Sequence, residues 1–405
     1  MDNKKTAIYA ITKGGLEKAK ILNEQLPTSD LYVSESLLAE APATAKLLMF
    51  PIAGPLKEIF NQYECHVFIV SVGAVVRLIA PLIKSKETDP AVVAIDDKAQ
   101  YCICVLSGHL GRGNEYTQSL SQMLRSTPVI TTASDAMKTI SVDILGRELG
   151  WTLADLRRNV TKGCAAMVNE RPVAIVQECG ETNFWPENKK LPSNVRYFHS
   201  LEAVAADEFE LIMIITDRTN VAQTHPRHFE RSIIYYPKTL VVGLGLDSQT
   251  PLEIVEEGLL KTLKENHLAI ESVKAVATID KKIEEPAVQA LLKKYKVEVH
   301  TFTAEELDKV EGIKNPSETV KKYMGTNSVA EAAALIAAGT KVLLVEKRKY
   351  QVEVNGKNMT CAIARIEWPK RSERVRGKLN ILGIGPGNRE HMTPAALEAI
   401  KESTH

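Results

Sequence analysis

The densest chemical signal in the sequence is Leu106-Ser107-Gly108-His109-Leu110-Gly111-Arg112-Gly113-Asn114-Glu115, where an imidazole, a hydroxyl and a carboxylate share a loop with glycines at 108, 111 and 113. The glycines expose backbone N–H groups and let a ligand come close. A strand enters the loop at Leu106 and a helix leaves it near Asn114, and a helix N-terminus stabilises negative charge. This combination suits a reaction in which an oxyanion develops. His109 would act as general base, acid or hydrogen-bond donor, the amides near Gly108 and Gly111 as oxyanion donors, with Ser107 and Glu115 as further catalytic candidates. The same residues also fit an asparagine-capped helix beside a solvent-facing histidine.

Two further segments could bind an acidic ligand. In Ser71-Val72-Gly73-Ala74-Val75-Val76-Arg77, Gly73 follows a buried strand, and Arg77 and Lys84 are cations available for carboxylates. Both cations read equally as ordinary helix-surface charges. Thr131-Thr132-Ala133-Ser134-Asp135 is a hydroxyl-rich loop that either donates to ligand carboxylates or caps the helix that follows. A Ser107–His109–Asp135 hydrolase triad is disfavoured, because no nucleophile-elbow pattern surrounds Ser107 and a histidine two residues away is poorly placed to serve it. Gly243-Leu244-Gly245 lacks the further glycine of a dinucleotide fingerprint, since position 248 is serine, and NAD binding is not expected. Cys102 and Cys104 share a strand face, but no second pair completes a zinc site, so no protein-bound metal is expected.

These residues need elements to hold them. Thr6 to Ile11, Val67 to Val70, Ala91 to Ile95, Cys102 to Leu106 and Pro128 to Thr131 read as strands. Their continuous β-branched runs suit a mainly parallel sheet covered on both faces, with ligands beyond the strand ends. From about Ser141 to Pro237 the texture is loopier, with strands at Arg171 to Gln177 and Leu211 to Thr216 and no evident catalytic group. A third unit opens with a strand at Leu240 to Gly245 and a helix near Thr250-Pro251, then a strand at Val273 to Thr278. A helix at Ser328 to Ala338 ends at Gly339. Strands at Lys341 to Glu346, Tyr350 to Val354 and Thr360 to Ile366 follow, the last two joined through Val354-Asn355-Gly356-Lys357. The reading is α/β: three α/β or α+β units with mainly parallel sheets at 1–140, 141–237 and 238–368, then a linker and an incomplete βα fragment at 369–405.

Composition narrows the function classes. Lysine and arginine total 51 against 50 acids, so no global field attracts nucleic acid, and affinity for an acidic ligand must come from local clusters. No apolar run approaches the roughly 18 residues that span a bilayer, and no secretory signal opens the chain, so neither a membrane nor export is expected. Six cysteines without a paired framework agree with a reducing cytoplasm.

Several blocks, in one order, resemble the cobalt-precorrin-5A hydrolases, the CbiG family of anaerobic cobalamin biosynthesis, over most of residues 1–368. The carriers are Gly73-Ala74-Val75-Val76-Arg77, Asp89-Pro90-Ala91-Val92-Val93, Leu106 to Gly111 with Asn114, and Pro128 to Asp135. Ala277-Thr278-Ile279-Asp280-Lys281-Lys282 with Glu285-Pro286, Phe302 to Leu307, Asn315-Pro316-Ser317-Glu318 and Ser328 to Ala334 add to them. Two departures stand out. Gly111 is followed by Arg112-Gly113 where the family commonly has glycine and alanine. Gly245 is followed by Leu246-Asp247-Ser248-Gln249 where the family commonly has cysteine, basic residues and glycine. The tail, Gly383-Ile384-Gly385-Pro386-Gly387 with Thr393-Pro394, resembles the start of a precorrin-3B C17-type methyltransferase. Too little of that domain is present to expect methyl transfer.

The resemblance implies hydrolysis of a δ-lactone on a cobalt tetrapyrrole, then carbon–carbon cleavage that expels acetaldehyde. Cobalt belongs to the substrate, and no cofactor is implied. His109 would carry the proton chemistry with Glu115 assisting. Arg77 and Lys84 would hold acetate and propionate groups, and neighbouring corrin-pathway methyltransferases are the implied partners. The competing readings are a tetrapyrrole-binding or channelling module whose catalysis has lapsed, and a hydrolase of simple lactones on the same scaffold.

Overall fold

Runs of β-branched and small apolar residues build the centre of the first sheet. A computed structural model describes residues 6–137, 139–186, 189–351, 357–369, 382 and 392–402. They form an α/β protein with three sheets, distributed over two compact units: Met1–Val176 with Ser200–Tyr236, and Gln177–His199 with Pro237–His405.

In the first unit, β1 (Thr6–Ala10), β2 (Ser29–Val33), β3 (Lys46–Leu47), β4 (Cys65–Ile69), β5 (Ala91–Ile95), β6 (Tyr101–Leu106) and β7 (Thr127–Val129) lie in the order β3-β2-β1-β4-β5-β6-β7. Helices α1 (Lys13–Gln25) and α4 (Gly113–Leu124) bring Leu16, Leu22 and Leu120 to one face of this sheet. Helices α2 (Ala53–Ile59) and α3 (Val72–Ile79) bring Leu56, Val75 and Ile79 to the other. The five strands from β3 to β5 are parallel, as continuous apolar runs between two helical layers should be. The exception is β6, which runs antiparallel to β5, with β7 parallel to β6. Only Asp96–Gln100 joins β5 to β6, which is enough for a hairpin and too short for a crossover.

That reversal has a direct effect on the site. Leu106, at the end of β6, pairs with Val92 near the start of β5. The His109 loop therefore leaves the sheet at the amino edge of β4 and β5, whereas Gly73 follows the carboxyl end of β4. About 17 Å of strand separates these edges. The rest of the unit adds α5 (Ala133–Ala136), β8 (Thr152–Leu153), α6 (Val160–Val168), β9 (Val173–Gln177), β11 (Leu211–Ile215), α7 (Val221–Thr224), α8 (Pro226–Glu230) and β12 (Ser232–Tyr236). These four strands run in the order β9-β11-β12-β8.

The second unit contains β10 (Val195–Phe198) and a five-stranded sheet in the order β15-β14-β13-β17-β16, made of β13 (Leu240–Leu246), β14 (Val273–Ile279), β15 (Glu298–Phe302), β16 (Leu343–Gln351) and β17 (Asn358–Arg365). Helices α9 (Leu252–Glu265) and α10 (Pro286–Tyr295) pack Leu259 and Leu291 on one face, and α13 (Ala330–Ala338) packs its alanines on the other. The α13 backbone comes so close to β13 that a Cβ on Gly243 would sit 1.8 Å from the Ala330 carbonyl oxygen. Shorter helices α11 (Ala304–Asp308) and α12 (Glu318–Met324) precede α13. The expected strands at 341–346 and 350–354 are instead one strand, β16, whose register shifts at Leu343/Val345 and Val345/Arg348 carry it through the polar run in its middle. The expected turn falls largely on residues 352–356, outside the described residues. In the tail, helix α14 (Pro394–Glu402) begins after Thr393, while the expected glycine loop at 383–387 is outside the described residues.

Candidate active site

The β6–α4 loop is folded tightly on itself. Ser107 and Arg112 both adopt left-handed backbone, with φ of 56° and 63°, a conformation costing on the order of 1 kcal/mol or more for each non-glycine residue. The intervening glycines are sterically required. A Cβ on Gly111 would lie 2.5 Å from Ser107 Cβ, and one on Gly108 would lie 2.7 Å from Asn114 Oδ1. The amides of Arg112, Gly113 and Asn114 donate to the carbonyls of His109, Ser107 and Gly108. The start of α4 is therefore already occupied by its own loop. Among the described residues, none of the amides of Gly108 to Gly111 is given to a backbone carbonyl.

This fold turns His109 inward, and the solvent-facing alternative is overturned. Its Nδ1 lies 3.0 Å from both carboxylate oxygens of Asp143, and its Nε2 lies 2.9 Å from Asp135 Oδ2 and 3.1 Å from Ser134 Oγ. The His109 and Asp143 side chains are 12% and 11% exposed, so little water screens the pair. The hydrogen bond that His109 donates to Asp143 raises the imidazole pKa above its ordinary 6.5, against the opposing effect of burial, and Asp135 adds to the rise. An imidazolium donating to a carboxylate on each side is the state this geometry favours.

The third sequence segment joins this cluster because β7 is parallel to β6 and ends at the same edge. Asn114 is not the helix cap; Arg112 occupies that position. Asn114 lies in the first turn, and its Nδ2 donates to Thr132 Oγ1 and Asp135 Oδ2, both at 2.8 Å. Its Oδ1 is a buried acceptor without a hydrogen bond among the described residues. Thr132 precedes α5 without a side-chain capping bond, and Ser134 accepts a hydrogen bond from Ser141. Thr131 is exposed at the same loop.

Other candidates have different places. Ser107 donates to the Asp89 carbonyl at 2.9 Å and so fastens the loop. The Asp89 carboxylate accepts from the amides of Lys84 and Ser85, which brings the exposed Lys84 back to the His109 edge. Gly73 does not come with it: it begins α3 at the opposite edge, and Arg77 donates to the Gly73 carbonyl from an exposed position. Glu115 is gripped by Arg112 and Arg147, and Arg147 also donates to the His109 carbonyl at 2.7 Å. Glu115 thus supports the loop through two guanidinium groups.

Asp143 and Arg147 are the site residues that sequence reasoning missed. Neither belongs to a recognisable motif, and both arrive from the segment with no evident catalytic group. Their position is set from afar, since the buried Tyr235 hydroxyl donates to the Val142 carbonyl at 2.6 Å.

Three family models match consecutive parts of the chain: cobalamin synthesis G N-terminal at residues 55–135, cobalamin biosynthesis central region at 140–237, and cobalamin synthesis G C-terminus at 240–364. A cobalt-precorrin-5A hydrolase from Priestia megaterium is 36% identical over 364 residues, covering 89% of this chain and 95% of the relative. A protein of the same name from Salmonella typhimurium is 29% identical over 350 residues, covering 83% and 93%. A solved structure of a cobalamin biosynthesis protein G homolog from Sulfolobus solfataricus is 21% identical, covers 90% of this chain and 99% of its own, and has a TM-score of 0.35. The expected membership therefore holds, and this chain belongs to the cobalamin synthesis G (CbiG) family.

Proposed function

We propose that this chain is a cobalt-precorrin-5A hydrolase, opening the δ-lactone of its cobalt-tetrapyrrole substrate and releasing acetaldehyde, with the chemistry centred on His109. The observation that carries the activity is the 36% identity, over nearly the whole of both chains, to a relative bearing that name. The clamped imidazolium supports the placement of the site.

Lactone opening needs water added to the carbonyl carbon and a proton for the departing ring oxygen. Asp135 is the more exposed of the two carboxylates on His109, at 43% against 11% for Asp143, and it takes the proton of the attacking water. The carbonyl oxygen becomes an oxyanion, for which the amides of Gly108 to Gly111 are the available donors. As the tetrahedral adduct collapses, the ring carbon–oxygen bond breaks and His109 delivers its Nε2 proton to the leaving oxygen. The products of this step are a carboxylate and a hydroxyl. In the second step the hydroxyl loses its proton as its carbonyl forms, and the bond joining that carbon to the macrocycle breaks. The two-carbon unit departs as acetaldehyde while the electron pair passes into the conjugated ring. Lys84 is the cation placed to meet a substrate carboxylate at this edge.

The test is incubation of the purified chain with cobalt-precorrin-5A, following acetaldehyde and the corrinoid absorption together. Stoichiometric acetaldehyde that is abolished in His109→Ala supports the assignment. Tight substrate binding without acetaldehyde refutes it in favour of a carrier, and full turnover by His109→Ala refutes the placement of the site.

A further inference from the structure

The second unit has a cavity of its own, about 570 Å³, lined by residues from Gly245 to Thr360. It lies where β13 and β14 end, at Gly245–Ser248 and Ile279, and where α13 begins, at Val329–Ala330. Open α/β sheets place ligands at such carboxyl edges, and the volume is typical of a small-molecule site.

Its wall has two kinds of surface. Ile279, Tyr323, Met324 and Met359 give it an apolar side, with Tyr323 72% exposed. The charged lining is Lys282, Lys347 and Lys349 against a single acid, Asp247. Lys282 is the built element of the set. It is 4% exposed, and its ammonium donates to Ser248 Oγ at 2.8 Å and Glu285 Oε1 at 2.9 Å, which leaves one of its three donors for the cavity. Lys347 is held by its donation to the Asn315 carbonyl. Lys349 is exposed and makes no ion pair among the described residues.

Ser328 supplies an independent pointer. It is 2% exposed, it lines the cavity, and its buried hydroxyl has no hydrogen-bond partner. A buried polar group without a partner costs about 1 to 3 kcal/mol, so at a cavity wall it is a place where a ligand's polar group gains a hydrogen bond.

From the cavity, its lysines and Ser328, we infer that the second unit carries a binding site of its own for an apolar-bodied polycarboxylate of the tetrapyrrole class. The identity of the ligand rests on the proposed function; the existence of an acid-binding cavity does not.

Equilibrium dialysis of the full chain against cobyrinic acid, a cobalt corrin polycarboxylate without the lactone, tests the inference. Charge reversal in Lys349→Glu should raise Kd about tenfold, with the effect shrinking at high salt. Ser328→Ala should raise Kd about fivefold, the usual worth of one hydrogen bond, while leaving the melting temperature unchanged or higher. That combination separates ligand binding from folding, because the variant removes an unsatisfied group. No wild-type binding, or Kd unchanged in both variants, overturns the inference. Binding lost in His109→Gln and kept in Lys349→Glu overturns it too, by moving the site to the first unit. Acetaldehyde release is scored separately on wild type, so the cavity can fail while the hydrolase reading stands.

Discussion

Asp143→Asn is the most informative single change at the His109 site. The amide keeps the carboxylate's shape, and its Oδ1 can still accept from Nδ1, so the ring keeps its orientation. What disappears is a negative charge 3.0 Å from an imidazole, with both side chains nearly sealed from water. A hydrogen bond between charged partners contributes about 1.5 to 3 kcal/mol, which is roughly a tenfold to hundredfold fall in kcat. The pH dependence gives the sharper readout. Asp143 is the first cause of the raised His109 pKa, so an acid role keeps its proton available above the ordinary 6.5 and loses it as pH rises through the elevated value. Removing the charge moves that alkaline limb toward lower pH. Stability follows the same sign: the folded-state contribution is complete below the unfolded pKa and fades as pH rises through the folded one. The assay is acetaldehyde release from cobalt-precorrin-5A across the pH range, fitted for kcat. A lower rate with an unmoved limb would show Asp143 to be only a structural support. Both unchanged would remove the pair from the chemistry.

Three other perturbations test how the fold holds its sites. His66 is fully buried, with Nδ1 at 2.9 Å from the Tyr9 hydroxyl and Nε2 at 2.8 Å from the Phe60 carbonyl, and burial pushes its pKa down from 6.5 to about 4. Its contribution is present above the unfolded pKa, so acidification from 6.5 to about 4 should remove about 3 kcal/mol of stability; an NMR titration midpoint for His66 near 6.5 would contradict this. Gly243→Ala forces a methyl against the Ala330 carbonyl and should destabilise the second unit by about 3 kcal/mol or more, read as a lower urea midpoint. Glu331 is fully buried and accepts from the amides of Lys314, Asn315 and Lys347 and from the Asn315 side chain, at 2.9 to 3.0 Å. Glu331→Gln turns a donor toward those N–H groups and should cost about 3 kcal/mol in chemical denaturation, with a loss under 1 kcal/mol counting against the cluster.

The sequence is most legible where one physical effect dominates. β1, β4, β5 and β13 are almost wholly apolar, with Thr6 and His66 the polar exceptions, because both faces of each strand are covered, and they lie where the pattern places them. β15 escapes notice because Glu298-Val299-His300-Thr301 is an exposed edge with no apolar face to read. β16 looks like two strands because Glu346-Lys347-Arg348-Lys349 interrupts the pattern; bulges at an edge, paired to β17, tolerate that run. The site was legible in its parts and misread in its assembly. The glycine–histidine loop and the threonine–serine–aspartate loop meet as their chemistry suggests. The expectation of a mainly parallel sheet places Gly73 with them, on the assumption that successive strands share a direction. Asp96–Gln100 contradicts that assumption from sequence alone, because five residues cannot carry a parallel crossover. Once β6 is reversed, the His109 loop must emerge at the edge opposite Gly73, and the backbone of Lys84, on the return from α3, is tied to Asp89 at that edge. Asp143 is different in kind. No local pattern points to it, because its segment is held by Tyr235, which donates to the Val142 carbonyl from 93 residues further along the chain. Short-range chemistry can be read from spacing, but a residue positioned by the packing of two sheets is visible only when both are folded.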